Sequence, residues 1–201
     1  MTVTEERPDS TGSVAARRAM IDSQLRPSGV NEPWVLAAMA ALPREDFVPA
    51  GARRAAYIDR AIALGGGRFL AAPLVHGRML AEAAPAGDDS MLLVGDPGGY
   101  LAALLRPMVG RFAAVDAAQL SQRASTETFS LIVIDGAIEQ LPDTLSARLA
   151  ENGRLVTGLV ERGVTRLAAG RMTGGVVSLL PLAEMGIPVL AEFAAPKRWS
   201  F

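Results

Sequence analysis

Residues 92–105 read LLVGDPGGYLAALL, an apolar run that turns through a glycine-rich loop into an Ala/Leu helix. That order hands a nucleotide-type ligand from a strand to a helix N-terminus, where backbone N–H groups can meet it. Gly95, Gly98 and Gly99, with Asp96 among them, are the residues within reach of such a ligand. Pro97 interrupts them, fixing φ and removing one N–H. The loop therefore has two readings, a cofactor cradle or a tight strand-to-helix turn without a ligand. Two further carboxylates end apolar runs. Asp116 closes RFAAVD and can cap a helix beginning at Ala117. Asp135, followed by Gly136, ends the central run and faces the cleft at the strands' carboxyl ends, as a polar site residue or a loop cap. His76 is the only histidine, so no triad or histidine-based metal site can form; it reads as a helix-surface or packing residue.

Composition narrows the classes. The 201 residues are half hydrophobic and carry a formal net charge of −1, which gives no reason to expect a nucleic-acid partner. All but one of the 20 basic residues are Arg, Lys197 being the exception, and we read this as a coding bias. Arg17–Arg18 and Arg53–Arg54 are expected on solvated helix faces. With no Cys, disulfides, thiolate nucleophiles and Cys-based metal sites are excluded. The start, MTVTEERPDSTGS, is polar and acidic, the opposite of a signal peptide. No apolar run reaches the roughly eighteen residues a membrane span requires. The expected setting is the cytoplasm, with no membrane partner.

The elements that must position these residues follow from the hydrophobic pattern. Residues 1–12 are rich in Thr, Glu, Ser and Pro and read as a disordered tail. A helix is expected over about Val14 to Leu25, with Ala15, Ala19, Met20 and Leu25 on its apolar face, and a second near Glu32 to Leu42 with Asn31 as N-cap and Pro33 in the first turn. Trp34 and Phe47 are expected in the core. A third helix starts at Pro73 and runs through Met79 and Ala83. Strands are expected at Met91–Val94, at RFAAVD and at FSLIVIDGA, the last a buried central strand. A helix near Thr144–Ala150 and the strand RLVTGLV follow, then antiparallel strands punctuated by MTGG and MGIP. Alternating strands and helices of this kind form an α/β doubly wound, mostly parallel sheet.

Several stretches together resemble the protein-L-isoaspartate O-methyltransferases. They are MIDSQLRPSGVNEPWVLAAMAALPREDFVP, AYID at 56–59, LGGGRFLAAPLVHGRM at 64–79, VGDPGGY, FSLIVIDGAIEQLP and ENGRLVTG, covering roughly residues 13–185. The resemblance implies a class I, Rossmann-like methyltransferase fold. It implies S-adenosylmethionine as cofactor and, as substrate, an isoaspartyl carboxylate in a damaged protein or peptide. The expected organisation is one domain over 13–201: an N-terminal helical, substrate-side segment (13–72), the Rossmann-like core (73–160) and the antiparallel strands (161–201). An ionised carboxylate is already a nucleophile at neutral pH, so catalysis rests on alignment with the methyl group and exclusion of water.

The resemblance gives Gly95, Gly99 and Asp116 to the cofactor, with Asp96, Gly98 and Asp135 as further cofactor-side candidates where the family carries other residues, and Arg68, Ala71 and Pro73 to the substrate. The departures are equally specific. In the family's E-x-G-x-G-x-G-Y, Leu93 stands at the acid and Pro97 at the middle glycine, and Asp96 is a candidate replacement for the lost charge. In G-x-G-Q-T-x-S-Q-P, which maps onto Gly65 to Pro73, Ala71 stands at the serine thought to orient the substrate carboxylate, so no catalytic residue is intact there. Arg68 could pair with that carboxylate instead. Only AAQLSQRASTET separates Asp116 from Phe129, which implies loss of one strand–helix unit, about 25–30 residues, and with it the adenine wall. Cofactor binding is thus expected to be weak or absent and activity impaired; the alternative is a non-catalytic binding or scaffolding protein. The loss would also leave RFAAV as a bare sheet edge, open to self-pairing in a homodimer.

Overall fold

A computed structural model describes residues 10–120 and 125–195. Helix α1 spans Ser10–Met20 and continues as a wider turn over Ile21–Leu25. Residues 10–12 are therefore helical rather than part of a tail, whose remaining residues lie outside those described. Met20 and Leu25 are buried as expected, but Ala15 and Ala19 face solvent, the buried stripe running through Ala16, Met20 and Ile21. Helix α2 spans Pro33–Ala41 with Glu32, not Asn31, at its N-cap. The Asn31 backbone N–H donates to the Glu32 carboxylate at 3.1 Å, placing Asn31 outside the helix. Trp34 is 39% exposed on that helix, whereas Phe47 packs edge-on against Tyr100, their ring centroids 5.4 Å apart.

A hairpin not anticipated from the sequence, β1 (Ile62–Gly65) with β2 (Arg68–Leu70), precedes α3 (Pro73–Ala83). Gly65, Gly66 and Gly67 all have positive φ, and only glycine takes three such residues in a row without strain. The three-glycine run was the available signal.

Strands β3 (Ser90–Val94), β4 (Arg111–Val115), β5 (Phe129–Ile138), β6 (Leu149–Glu161), β7 (Val164–Thr173) and β8 (Val176–Glu184) form one sheet in the order β4-β3-β5-β6-β7-β8. The first four are parallel; β7 and β8 are antiparallel, joined by turns at Arg162–Gly163 and Gly174–Gly175 whose positive φ values suit two-residue hairpins. Short helices α4 (Tyr100–Leu105), α5 (Ala117–Leu120) and α6 (Asp143–Ser146) connect the parallel strands. The expected helix at 144–150 is a single turn, because Leu149 already pairs with Phe129 at the start of β6.

Central strand β5 is apolar on both faces. Leu131 and Val133 pack with α3 and the N-terminal helices, while Ile132 and Ile134 pack beneath the opposite face. β4 forms one edge, with no strand outside it among the described residues, as the short connection from Asp116 to Phe129 requires. No helix among the described residues is long and apolar enough to cross a membrane.

Candidate active site

A cavity of about 240 Å³ lies at the carboxyl ends of β4, β3 and β5. Asp116, Gly95 and Asp135 come from these three neighbouring strands, so the two carboxylates bracket the glycine, about 10 Å apart by strand spacing. The β1–β2 hairpin covers one side with Gly66, Gly67, Arg68 and Phe69. The far wall is Pro188–Glu192, expected among the antiparallel strands but lying beyond the last of them, which ends at Glu184. It is pinned to β5 by Ala137 N–H to the Pro188 carbonyl at 2.7 Å and Leu190 N–H to the Ala137 carbonyl at 2.9 Å. Leu190 lies over Gly136, where any Cβ would overlap it. Val189 and Leu190 thus give the cavity an apolar wall despite the missing strand–helix unit.

The glycine-rich loop closes on itself. Asp96 Oδ1 accepts the Gly98 N–H at 2.9 Å, and the Asp96 carbonyl accepts the Gly99 N–H at 3.0 Å. Pro97 has no N–H, and both it and Gly98 are exposed outside the cavity lining. The donors that would cradle a ligand are therefore largely used by the turn. Asp96 Oδ2 meets Arg68 Nη1 at 3.3 Å, an exposed pair of the kind worth at most about 1 kcal/mol. Asp116 is both an N-cap, accepting the Ala118 N–H at 3.0 Å, and part of the cavity lining.

Neither Ala71 nor Pro73 lines the cavity. Both are buried where the chain enters α3, and the Ala71 carbonyl accepts a bond from Arg44 Nη2. No side-chain donor stands at that position.

The buried polar centre beneath the cavity was not legible in the sequence. His76 is fully buried on α3, not on a helix surface. Its Nε2 lies 3.1 Å from Asp135 Oδ1, and its Nδ1 lies 3.1 Å from Arg44 Nη1. A guanidinium can only donate, so Nδ1 accepts and Nε2–H donates to Asp135. Asp135 is accordingly not a loop cap. Arg44 also donates from Nε to the Ala56 carbonyl at 2.8 Å and lies 5.0 Å over the Tyr100 ring. Burial lowers its pKa to about 10, against the opposing influence of Tyr100, Asp135, Tyr57 and Asp59, and it stays charged at neutral pH.

Beside it the Tyr57 hydroxyl donates to Glu45 and accepts from Arg17 Nε at 2.9 Å. Arg17, expected on a solvated face, is half-buried in this network, as its Nη1 bond to the Ala40 carbonyl also shows; Arg53 is half-buried as well, while Arg18 and Arg54 face solvent. Burial and the Glu45 carboxylate together push the Tyr57 hydroxyl up to about 12.

The family model for protein-L-isoaspartate(D-aspartate) O-methyltransferase (PCMT) matches residues 15–128, more than half the chain. The chain belongs to this family. A protein-L-isoaspartate O-methyltransferase of Koribacter versatilis is 33% identical over 174 residues, covering 74% of this chain and 78% of the relative. One from Gloeobacter violaceus is 31% identical over 202 residues, covering 86% and 98%. In the Gloeobacter alignment 202 positions are spanned by only 86% of this 201-residue chain, so that isoaspartate methyltransferase carries residues with no counterpart here. A beta-aspartate methyltransferase (PCMT) structure from Plasmodium falciparum, in complex with S-adenosyl-L-homocysteine, superposes with a TM-score of 0.68 over 90% of this chain and 98% of that one. At 16% identity that likeness is one of fold. The matched residues 15–128 include Arg44, Glu45, Tyr57 and His76 of the buried polar centre.

Proposed function

We propose that this chain binds S-adenosylmethionine in the cavity above β3, β4 and β5, and that its methyl transfer to isoaspartyl carboxylates is slow. The observation that carries this reading is the cavity itself, bracketed by Asp116 and Asp135 with Gly95 between them. Asp116 is suited to the cofactor's ribose hydroxyls, and the cavity's apolar lining to the adenine. When bound, the cofactor supplies a methyl group on a positively charged sulfur, which a carboxylate oxygen can take directly. Among the described residues Asp96, Asp116, Asp135 and Glu192 face the cavity against one cation, Arg68, a balance that favours a cationic ligand and opposes a second carboxylate. Ala71, buried and without a side-chain donor, cannot orient that carboxylate.

The self-closed Gly98–Gly99 turn and Ala71 favour a second reading, a binding or scaffolding protein without turnover. The exposed edge of β4 supports a homodimer in either case, and we place the protein in the cytoplasm. Calorimetric titration with S-adenosylmethionine and S-adenosylhomocysteine separates the readings. The expected dissociation constant is about 100 µM or weaker, a few kcal/mol short of a micromolar binder. Low-micromolar binding with brisk methylation of an isoaspartyl peptide would overturn the impairment; no binding of either compound would overturn the cofactor assignment.

A further inference from the structure

The acid that the family carries on the first Rossmann strand is missing here, and Leu93 in its place is fully buried in the core. The strand register shows where a substitute can come from. Leu93 pairs with Val133 and Val94 with Ile134, so the next pair across β3 and β5 is Gly95 with Asp135. Asp135 therefore projects from the same sheet face as Leu93, two pairs further toward the cavity. A Cβ on Gly95 would stand 2.9 Å from Asp135 Cβ, so glycine at 95 is what lets the Asp135 side chain pass. β5 also leaves its register with β6 between Val133 and Ala137, the stretch that carries Asp135.

The other candidate, Asp96, is occupied. Its Oδ1 holds the Gly98 N–H and its Oδ2 faces Arg68. Asp135 is held differently. Its Oδ1 accepts from His76 Nε2, while its Oδ2 receives no hydrogen bond from any described residue, and the residue lines the cavity. His76 is fixed in turn by Arg44, a fully buried cation with no carboxylate in direct contact. The chain thus keeps a buried charge, which is costly in an apolar interior, in an arrangement that fixes the aim of one cavity carboxylate.

We propose that Asp135, aimed through His76 by the buried Arg44, anchors the ammonium group at the amino-acid end of the adenosyl cofactor, in place of the acid lost at Leu93. The inference rests on the cofactor assignment proposed above. Asp135 and Asp116 come from strands on either side of Gly95, so ribose and ammonium are held by separate carboxylates. Arg44 and His76 are positioning residues that act through Asp135.

The test compares S-adenosylmethionine and S-adenosylhomocysteine with 5′-methylthioadenosine, which has the adenosine but no amino-acid end, in titrations carried into the millimolar range. Asp135→Asn is expected to weaken the first two by about 10- to 100-fold, the size of a charge-assisted hydrogen bond, and methylthioadenosine by less than about threefold. Because the readout is a ratio within one protein preparation, partial unfolding does not imitate it. Should Asp135→Asn fail to fold, His76→Phe keeps the carboxylate but not its aim, and is expected to lower the same ratio at least about threefold. An equal loss for all three compounds, or none, overturns the anchoring role and leaves the cofactor assignment standing. If the unaltered protein binds none of the three, the cofactor assignment falls, and the anchoring role with it.

Discussion

Ala71 and Asp135 show how one residue can be absent from a family's chemistry and another newly present. Ala71 is 2% exposed, outside the cavity lining, and its carbonyl is tied to Arg44. A serine placed there would bring a hydroxyl into a packed region rather than toward a substrate. Ala71→Ser is therefore expected to raise isoaspartyl methylation by less than about tenfold, or about 1.4 kcal/mol of barrier. It is expected to cost stability on the order of 1 kcal/mol by burying an extra polar group. Initial rates with an isoaspartyl peptide, read alongside a thermal melt, check both; full rescue would mean that Ala71 alone limits turnover.

Among the elements, β4 carries the consequence of the shortened connection. Its far side has no neighbouring strand among the described residues, and Arg111 at its start pairs with Glu127 from the segment leading into β5. Arg111 and Val115 turn their backbone groups to the β3 side, so the outward N–H and C=O groups are those of Phe112 and Ala114; these have no strand partner among the described residues, and no proline interrupts the strand. Antiparallel self-pairing about a two-fold axis would place Ala113 near that axis. Ala113→Lys then sets two like charges against each other and is expected to raise the dimer dissociation constant by at least about tenfold. Light scattering at micromolar concentration checks this. A monomeric mass for the unaltered protein, or a dimer indifferent to the lysine, removes the edge as the interface.

At the scale of the molecule, one buried carboxylate ties three strands together. Asp89, just before β3, accepts from Ser130 of β5 at 2.7 Å, from Arg154 of β6 at 3.0 Å and from the Ala86 N–H at 2.8 Å. Burial alone would raise its pKa, but these hydrogen bonds and the charge of Arg154 bring it below the usual carboxylate range. Glu45 is depressed in the same sense, with the bonds from Tyr57 and Ser13 and the charge of Arg17 outweighing burial. Both groups bind protons more weakly folded than unfolded. Their stabilisation is therefore present above the unfolded carboxylate pKa of about 4 and is lost as pH falls through the lower folded values. Chemical denaturation across that range is expected to show falling stability. Asp89→Asn should remove on the order of 2–3 kcal/mol at neutral pH and flatten the acid dependence. An unchanged slope in that variant would place the acid lability elsewhere.

The sequence by itself determined the sheet, because β-branched apolar runs such as FSLIVIDGA have few other ways to bury both faces, and it determined the shortened connection by simple length. It also located Gly95, Asp96 and Asp116, since a strand that ends in a turn must release its last polar residue at the carboxyl edge. What it could not settle was partnership. Arg17, the adjacent Arg44 and Glu45, Tyr57, His76 and Asp135 are drawn from separate parts of the chain, and nothing local distinguishes a buried Arg or His from a solvated one. Only the packing of α3 against β5 brings His76 to Asp135, and only the register of β3 with β5 sets Gly95 beneath that carboxylate. The wall at Val189 and Leu190 escaped for the same reason: a segment after the last strand returns to β5 through two backbone hydrogen bonds that no side-chain pattern announces. Short-range patterning fixes which face of an element is apolar, whereas long-range burial decides which polar groups must find one another inside.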